Sequence, residues 1–233
     1  MASKRLPNKA LLPLNGKPLL FYAWNQARKS RSLDRIVIAT DSREIARVAD
    51  DFGAEVVMTS RRAKNGSERV AEVASKIKAS LYINVQGDTL SYPNSWLDQL
   101  VMMMRSRPKI QFGTIVTRVK SDIELFDPNR VKATLIGPKN NELAGWFSRY
   151  PLPYSRENEI LGEYASKGRY YLHHGIYAYR PAGLKKYQGW PMGVAEKAES
   201  LEQLRILEQG EKIAVLLARG SARSVDSTAD LIE

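Results

Sequence analysis

The chain has 233 residues with 43% hydrophobic content, enough for one large domain or a domain with a sub-lobe. It has no cysteine and only two histidines, which excludes a disulfide framework, a thiolate metal site and a His-rich zinc site. Its 36 Lys+Arg against 25 Asp+Glu give a net charge of +11, which favours polyanionic partners such as nucleotides, nucleic acids or acidic sugars without choosing among them.

The first stretch, "ASKRLPNKALLPLNGKPLLFYAW", places Ser3, Lys4, Arg5 and Lys9 in a turn-prone segment, with Gly16 ahead of an amphipathic helix. Flexible backbone carrying several cations suits a polyphosphate, although it is not a Walker motif. "MASKRLPNK" has no apolar region behind its charges, and no apolar run reaches the roughly 18 residues of a membrane span. A cytoplasmic protein with neither signal peptide nor membrane span is the expectation.

Apolar strands then alternate with helical patterns: "DRIVIAT" (34–40), "REIARVADDFG" (43–53), "AEVVMT" (54–59), "SERVAEVASKIKA" (67–79), "LYINVQ" (81–86) and a helix near "NSWLDQLVMMMRS" (94–106). Short strands separated by helices predict an α/β fold with a Rossmann-like, doubly wound, mostly parallel sheet. Ligands of such sheets sit beyond the carboxyl ends of strands, which puts Asp41 and Asp88 on one functional edge.

The middle changes character, with strand-like "QFGTIVTRV" (111–119), "RVKATLI" (130–136), "LAGWFSR" (143–149) and "YYLHHGIYAYR" (170–180). This reads as a smaller mixed-sheet sub-lobe, with the polar loop 150–168 as a lid. A helical run over 195–210 closes on Gly210 as its C-cap, and a strand over 212–218 and the segment "SVDSTADLI" (224–232) complete one domain spanning 1–233. No internal repeat or low-complexity linker occurs.

"LYINVQGDTL" runs an apolar strand into Gln86, Gly87 and Asp88, and a carboxylate there must meet water, a cation or a partner. Together, "SKRLPNK…NGKPLL", "RIVIATDSREIA", "VVMTSRRAKNGSERVAEV", "INVQGD", "FDPNRVKATL", "FSRYPLPYSR", "HHGIYAYR", "SLEQLRILEQGEKIAV" and "VDSTADL" stand in the order and spacing of a known family. The whole chain resembles the 3-deoxy-manno-octulosonate cytidylyltransferases, or CMP-Kdo synthetases, of the nucleotide-diphospho-sugar transferase type. The resemblance implies transfer of CMP from CTP to the anomeric hydroxyl of an acidic eight-carbon sugar, Kdo, for lipopolysaccharide synthesis.

By the same resemblance Asp88 and Asp226 are ligands of Mg²⁺, an ion that takes few protein carboxylates and completes its shell with phosphate oxygens and water. Arg5 and Lys9 lie along the triphosphate, with Ser3 in the same loop. Asn65, Gly66, Ser67 and Arg69 shape the nucleotide pocket, although the family more often has Ser at Asn65. Ser67 and Glu68 could equally just begin a helix. Gln86, His173, Tyr177, Glu202, Gln203 and Arg149 are implied for the sugar. His174 points to the opposite face of the strand from His173 and is assigned to structure, while Tyr171 and Tyr179 read as core. A homodimer and no nucleic-acid partner are also implied.

The chain departs from the pattern in places. Family members begin with an apolar strand ending in Pro-Ala-Arg, so the expectation is a domain without its first central strand. Thr89 and Leu90 stand where Glu and Pro are usual, and Ala10 replaces a proline. Alternatives are a different acidic keto-sugar, such as an amino-Kdo or a sialic-acid-like substrate, or a truncated, impaired homologue that binds anions. Basic residues here show no aromatic interleaving that would favour nucleic acid.

Overall fold

The computed structural model describes residues 9–154, 165 and 170–225. Ser3, Arg5 and Asp226, and most of the expected lid, lie outside the described residues. After a 3₁₀ turn (Lys9–Leu11), a hairpin of β1 (Pro13–Leu14) and β2 (Lys17–Pro18) turns on Asn15 and Gly16, both at positive φ. Asn-Gly is the pair that a two-residue hairpin of this hand requires. Helix α1 (Leu19–Ala27) follows.

A parallel pair comes next, β3 (Val37–Thr40) with β4 (Glu55–Met58), linked by α2 (Arg43–Asp51). Ser42 starts α2 by accepting a bond from the Ile45 N–H at 3.3 Å. Then follow α3 (Gly66–Lys76), β5 (Tyr82–Asn84), β6 (Thr89–Ser91) and α4 (Ser95–Ser106). The later chain forms β7 (Phe112–Arg118), α5 (Asp122–Phe126), β8 (Lys132–Ile136), β9 (Leu143–Ser148), β10 (Tyr171–Tyr179) and α6 (Pro181–Gly189). Helices α7 (Val194–Glu199) and α8 (Leu204–Glu208), then β11 (Ile213–Leu217) and β12 (Arg223–Ser224), complete the description.

The fold is α/β with a mixed sheet. Its six-stranded sheet has the order β5-β10-β7-β11-β9-β8, with β7 and β11 parallel and the other neighbours antiparallel. Central strand β10 shows why "YYLHHGIYAYR" lacks polar alternation. Ile176 and Ala178 pack on one face with Trp96, Leu97 and Leu100 of α4, while Tyr177 and Tyr179 pack on the other with Leu184, Tyr187 and Leu204. A strand covered on both faces is apolar along most of its length, and its polar side chains, here His173 and His174, are hydrogen-bonded to Thr114 and Thr117.

One expectation is corrected. Residues 195–210 are not one helix: α7 ends at Ser200, whose φ of 53° is left-handed, and α8 begins only at Leu204. A left-handed residue cannot continue a right-handed helix. The break is fixed by a buried ion pair: Arg205 of α8 grips both oxygens of Glu196 of α7 at 2.7 Å and also reaches Glu68 of α3 at 3.1 Å. Breaking the helix there turns Glu202 and Gln203 inward. Gly210 does end α8 at positive φ, as expected.

Candidate active site

One cleft of about 1430 Å³ runs along the carboxyl ends of β3 and β5 and onward between the two strands. Of the residues singled out in the sequence, Lys9, Asp41, Asn65, Gly66, Arg69, Gln86, Asp88 and Glu202 line it. That gathering follows from the fold: Asp41 follows β3, Gln86 and Asp88 follow β5, and Asn65, Gly66 and Arg69 lie at the start of α3 after β4, while Lys9 comes from the 3₁₀ turn and Glu202 from the connection between α7 and α8.

At the mouth, Lys9 Nζ donates to Asp88 Oδ2 at 2.8 Å, with the lysine almost fully covered and the carboxylate about one-third exposed. The N–H of Val225 donates to the carbonyl of Asp88 at 3.2 Å, and Ser224 pairs with Thr89. The chain segment just before Asp226 is therefore bonded to the segment carrying Asp88. On the β3 side, Arg69 pairs with Asp41 at 2.9 Å and also donates to Thr59.

Deeper in, Asn65 caps α3 by accepting from the Glu68 N–H at 2.9 Å while its amide donates to the Tyr187 hydroxyl at 3.0 Å. Ser67 is buried, with its hydroxyl 2.6 Å from that of Tyr179. Helix initiation and pocket shape are thus one feature in this segment. The Glu202 carboxylate lies against the start of the helix and accepts from the Ser67 N–H at 3.1 Å. Burial pushes its pKa up to about 7, against the lowering effect of the N–H groups of Ser67 and Gly66.

Gly66 forms the floor of this inner pocket. A Cβ there would lie 2.8 Å from Asn84 Nδ2, 3.1 Å from Gln86 Nε2 and 3.4 Å from Glu202 Oε1, so two amides and a carboxyl converge on one point. Asn84 Nδ2 is buried beside the Tyr179 hydroxyl but forms no well-made hydrogen bond. Asn84 was not singled out from the sequence. Its signal was available: in "YINVQ" it stands two residues before Gln86, on the same face of the strand.

Four of the residues expected at the sugar, His173, Tyr177, Gln203 and Arg149, lie outside the cleft lining. His173 is buried, 2.9 Å from the Thr114 hydroxyl and packed against Phe147 and Tyr177. Burial, and secondarily the charge of His174, hold its pKa down to about 3. Tyr177 donates to Gln203 Oε1 at 2.9 Å, and the Nε2 of Gln203, itself buried, has no partner. Arg149 is tied to the Glu199 and Pro128 carbonyls. His174 lies on the other face, bonded to Thr117 at 2.8 Å and packed on Trp96, as its assignment to structure requires. Among the described residues no group of three or more His, Cys, Asp or Glu side chains could hold a metal. No helix among them is long and apolar enough to cross a membrane.

Residues 1–213 match a family model described as "Cytidylyltransferase". The chain is 39% identical over 236 residues to 3-deoxy-manno-octulosonate cytidylyltransferase 1 of Actinobacillus pleuropneumoniae serotype 5b, covering 99% of this chain and 92% of the relative. It is 40% identical to the 3-deoxy-manno-octulosonate cytidylyltransferase of Haemophilus ducreyi, over 99% and 91% of the two chains. Among solved structures, CMP:2-keto-3-deoxy-manno-octonic acid synthetase complexed with CTP superposes with a TM-score of 0.87 at 33% identity, covering 99% of this chain and 91% of the other. UDP-glucose pyrophosphorylase, at 13% identity and a TM-score of 0.64 over 98% and 89% of the chains, shares the fold. The arrangement of strand-end carboxylate, covered lysine and amide-lined pocket sits in a chain similar end to end to these proteins, and the chain belongs to the cytidylyltransferase family, among the 3-deoxy-manno-octulosonate cytidylyltransferases.

Proposed function

We propose that this protein transfers the CMP group of CTP to the anomeric hydroxyl of 3-deoxy-manno-octulosonate, releasing pyrophosphate. The observation that carries the reading is the Lys9–Asp88 pair at the end of β5, in a fold shared over 99% of the chain with a synthetase complexed with CTP. The sugar hydroxyl attacks the α-phosphorus in line, a new phosphorus–oxygen bond forms, and the bond to pyrophosphate breaks on the far side. Lys9, together with Arg5, offsets charge that builds on the phosphate oxygens during this exchange.

The donor set suits Mg²⁺. Asp88 is a hard oxygen ligand turned into the cleft, and the bond from Val225 brings the chain adjoining Asp226 to it. Asp88 and Asp226 would hold the ion, which supplies phosphate neutralisation and a lowered pKa for the attacking hydroxyl. Asn84, Gln86 and Glu202 present two amides and a carboxyl near neutral pKa, able to donate to and accept from the hydroxyls of a polyhydroxylated acid. Gln203, anchored by Tyr177, and His173, anchored by Thr114, support that wall from behind.

The test mixes CTP, Mg²⁺ and Kdo and measures pyrophosphate, with amino-Kdo and a nonulosonate as competing sugars. Release above background with Kdo is expected, and its absence with intact protein ends the proposal. CTP with Mg²⁺, but not ATP, GTP or UTP, should also raise the melting temperature, since about 2.7 kcal/mol of stabilisation accompanies a ligand at one hundred times its Kd.

A further inference from the structure

An acidic sugar brings a carboxylate into the cleft, and the residues implied for the sugar offer it no cation there. Arg149 is the one cation among them. It lies outside the lining, with its Nε on the Glu199 carbonyl at 2.7 Å and its Nη1 on that of Pro128 at 3.0 Å. Lys9 and Arg69 do line the cleft, but they are paired with Asp88 at 2.8 Å and with Asp41 at 2.9 Å. A carboxylate that leaves water for an amide-lined pocket needs an opposite charge within reach.

Two lysines at the lip of the inner pocket meet that need. Lys64 immediately precedes Asn65, the N-cap of α3, and Lys197 lies on α7; both line the cleft and both are exposed. A chain of bonds ties the two lips together. The Lys64 N–H donates to Glu68 at 2.7 Å, Arg205 donates to Glu68 at 3.1 Å, and Arg205 holds Glu196, the residue before Lys197, at 2.7 Å. With Arg205 on both oxygens of Glu196, every oxygen of these two carboxylates already has a donor. The ammonium groups are therefore not consumed by the acids below them, and among the described residues neither has an ion-pair or hydrogen-bond partner. A flexible four-carbon stem lets each compact charge swing over the pocket.

We propose that Lys64 and Lys197, one from each lip, form the carboxylate subsite of the sugar pocket and select acidic keto-sugars over neutral ones. The inference rests on the cytidylyl-transfer reading for the identity of the sugar. Asn84, Gln86 and Glu202 below are then left to the hydroxyls, and the charge at the lip fixes which end of the sugar points out of the pocket. Arg61 supplies the comparison, because it too is exposed, lines the cleft and stands in the turn after β4. A diffuse attraction of anions would use Arg61 as much as the two lysines.

The test titrates the full chain, with CTP and Mg²⁺ present, and reads each Kd by calorimetry. One ligand is Kdo lacking its anomeric hydroxyl, which cannot react, and the other is the C1 carboxamide of the same sugar. The wild type should bind the acid about a hundredfold more tightly than the amide. Lys64→Met and Lys197→Met should each weaken the acid by about tenfold and the amide by less than about twofold, with the melting temperature unchanged, while Lys197→Arg keeps the acid's affinity. Arg61→Met should change neither Kd. Equal affinity of the wild type for acid and amide, a loss shared by both ligands, a loss confined to one lysine or an equal loss in Arg61→Met overturns the inference, as does an absence of binding. If the wild type releases pyrophosphate from Kdo while the lysine variants discriminate as it does, the subsite falls and the transfer proposal stands. If the lysine variants lose the preference for the acid in a protein that releases no pyrophosphate, the transfer proposal alone falls.

Discussion

Glu202 offers a direct test of how burial and charge are balanced in the inner pocket. Its carboxyl has an ordinary value of 4.5 and is pushed up to about 7 in the folded protein, chiefly by burial. Between these values the native state binds more protons than the unfolded chain, so its contribution to stability falls as pH rises from 4.5 through 7. At about 1.4 kcal/mol for each tenfold change in proton affinity, the full cost above pH 7 is about 3 kcal/mol. Glu202→Gln keeps an acceptor for the Ser67 N–H and removes the charge. Relative to the wild type, the variant should therefore gain about 3 kcal/mol between pH 4.5 and 8, roughly 6–12 °C in melting temperature for a chain of this size.

The assay is urea unfolding of both proteins at half-unit steps of pH without substrate, and the informative quantity is their difference. His173 and His174, held down to about 3 and 4, work in the opposite sense, giving stability that is lost as pH falls below 6.5. They are present in both proteins and cancel. A flat difference curve, or one that favours the wild type as pH rises, refutes the argument that burial dominates at Glu202.

The other expectations concern single contacts. Asp88→Asn removes an ion pair that is part-exposed, so stability should change by no more than about 1 kcal/mol, while pyrophosphate release falls by about a hundredfold or more; retained activity would remove Asp88 from the metal and phosphate chemistry. Gly66→Ala places a methyl 2.8 Å from Asn84 Nδ2 and should cost about 1–3 kcal/mol of stability with a raised KM for the sugar, and an unchanged KM would show that substrate does not reach this floor. Arg205→Met strands the buried Glu196 carboxylate and should cost about 3–5 kcal/mol, partly restored by adding Glu196→Gln. No restoration on denaturant unfolding would mean that the ion pair does not set the α7–α8 break.

What the sequence determined by itself was local and periodic. The spacing of apolar residues marked β3, β4, β5 and β7 through β11 and the helices α1 through α4, because a side chain's burial follows from its position in a repeat of 2 or 3.6 residues. Gly16 and Gly210 announced their backbone turns because few residues adopt positive φ cheaply. Motifs in register pointed to the family, and Lys9, Asp88, Gln86, Asn65, Gly66, Arg69 and Glu202 do converge on one cleft. What only the tertiary structure decided were properties shared between distant segments. The bond from Val225 to Asp88, the packing of Arg205 across the division of residues 195–210 into two helices, the position of Asn84, the removal of His173, Tyr177, Gln203 and Arg149 from the lining and the pairing of β3 and β5 among the described strands all depend on which element lies beside which. Local preference can name a strand, but its neighbour is fixed by the packing of the whole chain, and pKa, pocket shape and unmet hydrogen bonds follow from the neighbour.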